Sequence, residues 1–403
     1  MRTSSPVCAW KSTEAAASSD LVQNWPVMTW TEAGENRSAR WRSESGLPPP
    51  SRVVIADDQI TADAAYRLAC EGAALLWRGD FQNARQLLQA MARRVESRPA
   101  RKKHKAAMAP PPLSAAFHLH RQAQSQRARI LAMLVLPFDA EHVVGLRRAP
   151  DVRQACLEAY GPAGEPYVAP LRELLGVIGA HEWRRKGVEV PALGARIHPH
   201  YGVFAPVRNE YVGLVAAEPL PTPVPDLAFD IGTGTGVLAA VLAQRGIASV
   251  VATELDPRAF ACAAENIERL QLSRAVQVIA ADLFPAGRAA LVVCNPPWLP
   301  ARPSSAMENA VYDPGSRMLR AFLAGLAAHL TPGGEGWLLL SDLAERLALR
   351  TRDELTAAIA QSGLKVLGRT DARPVHPRAF DKTDPLHAAR SAEITSLWRL
   401  APG

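Results

Sequence analysis

Residues 198–403 alternate short runs of Val, Ile, Leu and Ala with Ala-rich stretches at helical spacing. The apolar runs predict strands at Leu227–Ile231, Ser249–Thr253, Val276–Ala280, Leu291–Cys294, Gly336–Leu340, Lys365–Gly368 and Ile394–Leu400. Helical stretches between such runs signal crossover connections, and so a doubly wound, mostly parallel α/β sheet. The first half reads differently. In Ile60–Val95, Ala64, Leu68, Ala69 and Cys70 share a face, and Leu75, Leu76, Phe81, Ala84, Leu87 and Leu88 continue it across a Gly-Asp break, which predicts a helical hairpin. A further helical stretch is predicted from Leu113 to about Arg185. Residues 1–51 are rich in Ser, Ala, Glu and Arg, close with Pro48-Pro49-Pro50, and read as a disordered tail or an overlong start. The expected domains are therefore this tail, a helical, basic accessory and substrate-recognition domain over 52–197, and an α/β domain over 198–403.

Charge sharpens that division. Residues 1–200 carry 27 Lys and Arg against 19 Asp and Glu, whereas residues 201–403 carry 19 against 20. The whole basic surplus lies in the N-terminal half, with a dense run in Ala92–Pro112, as expected of an arm or linker meeting RNA or a ribosome and equally of a solvated surface. The five scattered cysteines form no C-x-x-C pair, and His118/His120 and His198/His200 lack companion ligands, so neither a disulfide framework nor a metal site is expected. No apolar run reaches the ~18 residues of a membrane helix, and the first residues lack the apolar core of a secretory signal. A cytoplasmic protein with no membrane partner is the expectation.

The candidate chemistry begins at "FDIGTGTG". A strand ends in Asp230 and turns through Gly232, Thr233, Gly234, Thr235 and Gly236 into a helix whose free N–H groups face a ligand. NAD-binding folds use a similar loop. Here, however, the spacing is G-x-G-x-G and an acid precedes it, which disfavours a pyrophosphate and suits a ligand with a cationic centre and an amino group. The next two strands also end in acids, Glu254 and Asp282, the latter followed by Leu283. An acid at the second strand end can accept from ribose hydroxyls, although each acid alone is equally a helix cap. The fourth strand ends in Asn295-Pro296-Pro297-Trp298. A conjugated amino nitrogen is a poor nucleophile until acceptors on its N–H groups turn its lone pair outward. The Asn295 and Pro296 carbonyls can do that, the prolines fix the corner, and Trp298 offers a flat face to a planar group.

Together these residues resemble the class I S-adenosylmethionine-dependent methyltransferases that methylate amino or amide nitrogens, namely the HemK/PrmC glutamine N5-methyltransferases and the ribosomal RNA guanine-N2 "small domain" enzymes. The resemblance implies a Rossmann-like seven-stranded sheet ending in an antiparallel hairpin, with S-adenosyl-L-methionine as cofactor. It assigns Asp230 and the glycines to the methionine end, Glu254 to the ribose, Asp282 and Leu283 to the adenine, and Asn295 to both cofactor and target. The target is a glutamine of a release factor or ribosomal protein, or an adenine or guanine amine of RNA or DNA. A binding module that kept the fold without turnover is the remaining alternative. Tyr201–Val215 loosely resembles the substrate segment of both relatives, so Phe204, Arg208 and Glu210 are expected at the substrate, together with Arg378 and Lys382 from the polar loop before the last strand.

Overall fold

The computed structural model describes residues 25–97, 112–303 and 306–403. The N-terminal unit comprises β1 (Val27–Glu32), β2 (Glu35–Trp41), β3 (Arg52–Ala56), α1 (Ala62–Cys70), β4 (Ala73–Trp77), α2 (Phe81–Ser97), α3 (Leu113–Leu131), β5 (Leu134–Phe138), α4 (Arg153–Tyr160), β6 (Tyr167–Pro170) and α5 (Leu171–Lys186). The expected helical accessory region is thus corrected to a mixed α/β unit, with a six-stranded sheet ordered β1-β2-β6-β5-β4-β3. The physical reason lies in β4, "AALLW", whose five residues are all buried. A strand buried on both faces has no alternation and reads as part of a helix's apolar stripe. The expected disordered tail is also revised, because β1 and β2 form an antiparallel hairpin inside it. Residues 1–24 and the core of the basic run, 98–111, lie outside the described residues.

The second unit continues with β7 (Val188–Val190), β8 (Ala195–Ile197), α6 (Glu210–Ala217), β9 (Leu227–Ile231), α7 (Val237–Gln244), β10 (Ser249–Glu254), α8 (Pro257–Arg269), β11 (Val276–Ala280), β12 (Ala289–Cys294), α9 (Arg317–His329), β13 (Leu330–Ser341), α10 (Leu343–Arg346), α11 (Arg352–Gln361), β14 (Leu364–Ala372), α12 (His387–Ser391) and β15 (Thr395–Pro402). All seven expected strands are present in one sheet, ordered β11-β10-β9-β12-β13-β15-β14. The first five are parallel, and β15 runs antiparallel to both β13 and β14. This is the Rossmann-like seven-stranded arrangement with its terminal hairpin. Val190, Leu193 and Ile197 pack in the core beneath α6 and α7, so the unit begins before residue 198.

The strand order reverses between β9 and β12, which pair directly. A doubly wound sheet opens a crevice at that point, at the carboxyl ends of the strands. Both key segments emerge there, since the Gly loop follows β9 and the Asn-Pro-Pro-Trp corner follows β12. The helices beside the crevice start sharply. Asp256 caps α8 by accepting from the Arg258 and Ala259 amides, with Pro257 at the first helical position. α7 is buried from Val237 through Leu242, which explains its apolarity all round.

Candidate active site

The Gly loop turns on three glycines of positive φ, at 68°, 59° and 80° for Gly232, Gly234 and Gly236. A Cβ on Gly232 would come 2.7 Å from Met318 Cε. Asp230 lies beneath this loop, 1% exposed. Its Oδ2 accepts from the Thr233 hydroxyl at 2.6 Å and from the Ala239 amide at 3.0 Å. Burial pushes its pKa up to about 6, against the opposing effect of those two bonds. The Asp230 carboxylate therefore braces the loop from below, and it is not among the residues that wall the cavity above.

Glu254 closes the loop from the side. Its Oε2 accepts from the Gly234 amide at 2.9 Å, and its Oε1 from the Leu255 and Asp256 amides at 2.9 and 3.1 Å. Thr253 links three strand ends, its main-chain carbonyl accepting from Thr233 N and its hydroxyl donating to the Leu283 carbonyl at 2.6 Å. Leu283 holds a positive φ of 65° there. Asp282 is exposed just beyond β11, and neither it nor Leu283 is among the residues walling the two cavities at the strand ends.

Two cavities meet at the strand ends. One, of about 210 Å³, is walled by Gly232 through Thr235, Glu254, Asp256, Val203, Asn309 and Met318. The other, of about 160 Å³, is walled by Pro296, Trp298, Leu299, Arg208, Leu343 and Glu393. Phe204, Tyr211, Asn295 and Ala310 belong to both. Asn295 thus stands between a loop-lined chamber and a corner-lined chamber. Its Oδ1 accepts from the Trp298 indole N–H at 2.9 Å, which ties the ring to the amide. A carbonyl oxygen has a second lone pair, so the bond leaves Asn295 one acceptor position. Pro297 faces the first chamber and Pro296 the second.

Of the expected substrate residues, Phe204 and Arg208 lie in the walls. Glu210 instead accepts from the Val375 amide, and Lys382 is exposed and lines neither chamber. The Arg378 side chain lies outside the described residues. The polar loop acts through its apolar members, as Leu386 and Ala389 pack with Leu299 and Leu343 of the second chamber. Sequence reasoning missed Glu393. Its buried carboxylate accepts from Arg208 at 2.8 Å and from the Ser341 hydroxyl at 2.6 Å, and so fixes the cation in the second chamber. An isolated acid in a polar tail carries no signal of such burial.

Residues 194–346 match the family model described as methyltransferase small domain. A release factor glutamine methyltransferase of Deinococcus radiodurans is 31% identical over 241 residues, 54% of this chain and 81% of that relative. The chain belongs to the class I S-adenosylmethionine-dependent methyltransferases. A release factor glutamine methyltransferase of Cereibacter sphaeroides is 36% identical over 144 residues, 32% of this chain and 50% of the relative. A tRNA1(Val) (adenine(37)-N6)-methyltransferase of Bacteroides fragilis is 35% identical over 123 residues, 28% and 52% of the two chains. The chain spans about half the length of these last two relatives. Its first chamber fits the family's cofactor, because Gly232 keeps the wall open where a Cβ would meet Met318 and Glu254 Oε2, bonded to one amide, keeps an acceptor position beside it.

Proposed function

We propose that the protein is an S-adenosylmethionine-dependent N-methyltransferase whose target is a planar amide, the glutamine side chain of a release factor or ribosomal protein. The observation that carries this reading is Asn295 in the wall of both chambers. When bound, the cofactor supplies a methyl group on a sulfonium centre. The glycine loop and Glu254 hold its methionine and ribose portions, and Asp282, two residues beyond β11, is assigned to the adenine amino group by the family resemblance alone. Asn295 Oδ1 and the Pro296 carbonyl accept the target N–H groups and turn its lone pair toward the first chamber. Trp298, tethered through its indole N–H, keeps the amide oriented and covers the planar group. No side chain at the corner need titrate, and the proton lost by nitrogen goes to water.

A second reading has a specific support. The tRNA adenine-N6 relative and the basic surplus of residues 1–200 favour an exocyclic adenine or guanine amine of RNA or DNA, with the N-terminal half touching RNA or the ribosome. Among the described residues no helix is long and apolar enough to cross a membrane. Incubating the protein and Asn295→Ala with tritiated cofactor and cell lysate separates these readings. We expect Asn295-dependent label that protease removes and RNase leaves. RNase-sensitive label selects the nucleic-acid reading. Absence of label with cofactor binding intact leaves a binding module.

A further inference from the structure

After the corner, the described stretch of residues 299–303 and 306–313 contributes to both chambers. Asn309 and Ala310 line the first, and Leu299, Ala310 and Val311 line the second. Its two ends are joined by main-chain bonds, Leu299 N–H to the Val311 carbonyl at 3.1 Å and Asp313 N–H to the Leu299 carbonyl at 2.8 Å. From outside, the segment is gripped by α3 of the N-terminal unit. Arg121 makes a fork with Glu308 at 2.9 and 3.0 Å and donates to the Arg302 carbonyl at 2.8 Å. Its guanidinium also lies 4.1 Å from the Tyr312 ring centroid. One helical turn earlier, Phe117 is buried in the cluster holding Leu299, Leu343 and Leu386.

We propose that Arg121 is a positioning residue for the active site: through Glu308, Arg302 and Tyr312 it holds residues 299–303 and 308–313 against both chambers, so the N-terminal unit takes part in cofactor retention. The proposal rests on the reading of the two chambers given above. A planar fork on a carboxylate, with a third bond to the main chain and a stacked ring, fixes a loop in a way that a point charge cannot. The Arg121 grip holds Glu308, next to Asn309, and Tyr312, two residues after Ala310, where slackening would open both walls.

Hydrogen exchange of the full chain without ligand reads the grip itself, and titration with S-adenosylhomocysteine reads its consequence. Arg121→Ala should speed exchange of the Val311, Tyr312 and Asp313 amides at least tenfold and weaken S-adenosylhomocysteine binding at least fivefold. Glu308→Gln should do the same, and the double variant should add little, because the two residues form one contact. Arg121→Lys, which keeps the charge and loses the fork, should fall between. Arg127, paired with Glu96 inside the N-terminal unit, supplies the control, and Arg127→Ala should change neither measurement. Wild-type exchange and affinity in both Arg121→Ala and Glu308→Gln would overturn the proposal. Faster exchange in Arg121→Ala, in a protein whose wild type does not bind S-adenosylhomocysteine, would uphold the grip and instead refute the cofactor reading of the first chamber.

Discussion

Asp230 is a carboxylate whose cost of burial is set by its place beneath a ligand loop. Burial raises its folded pKa from the ordinary aspartate value of 3.8 to about 6. A raised acid favours the folded state most when both states are protonated, below the unfolded value. That contribution is lost as pH rises through the folded value. The shift amounts to about 3 kcal/mol between roughly pH 4 and pH 6, at 1.36 kcal/mol for each pKa unit. In Asp230→Asn the amide oxygen can keep both bonds, to Thr233 and Ala239, without a titrating charge. Chemical denaturation from pH 4.5 to 7 should therefore show wild type losing stability relative to Asp230→Asn as pH rises; a constant difference would mean that Asp230 is already ionised throughout. Glu254→Ala should weaken cofactor binding by about 1–3 kcal/mol, the cost of unpaired polar contacts, read by calorimetry. Asn295→Ala should abolish transfer and leave cofactor affinity within a few-fold, because the residue works mainly on the target. Equal loss of both would assign it to the first chamber alone.

At the scale of elements, the strand-turn-helix after β9 was legible because each part carries its own local signal. The apolar strand, the G-x-G-x-G spacing and the helix start all pointed to one loop, and Gly232 shows why the residue type is required. Its φ of 68° disfavours a side chain, and a Cβ would also meet Met318. Gly232→Ala should destabilise the loop by about 1–3 kcal/mol and reduce cofactor affinity beyond that of Gly234→Ala, whose Cβ would meet nothing within 4 Å. Equal losses in the two variants would show that backbone strain alone governs the loop. The corner after β12 was legible for the same reason, since two prolines can only end a central strand. The Trp298–Asn295 bond was not, because a residue type says nothing about where a ring N–H points. Nor was Glu393, whose partners Arg208 and Ser341 lie 185 and 52 residues away. β4 and β5 were hidden because "AALLW" and "LVLPF" carry no period-two alternation, and flanking helices absorbed them.

Across the whole molecule, the two units meet over charged and apolar contacts that bear directly on the site. Glu44 after β2 pairs with Arg258 of α8 at 3.0 Å, and Glu265 of α8 binds both Arg184 of α5 at 2.6 Å and His200 at 2.7 Å. Gly202, beside Tyr201, lines the first chamber, and Tyr201 packs edge-on against Tyr160 of α4. Each partly exposed ion pair contributes little alone, so the apolar contact of α3 should dominate the coupling. Phe117 is 2% exposed and is surrounded by Leu299, Leu343, Leu347 and Leu386 of the second unit. Its truncation should cost about 3–5 kcal/mol, the range for deleting a buried aromatic ring. If the units unfold together, hydrogen exchange in Phe117→Ala should show matching losses of protection in β5 of the first sheet and in β9 and β12 of the second. Loss confined to the second sheet would mean that the N-terminal unit stands independently of the second.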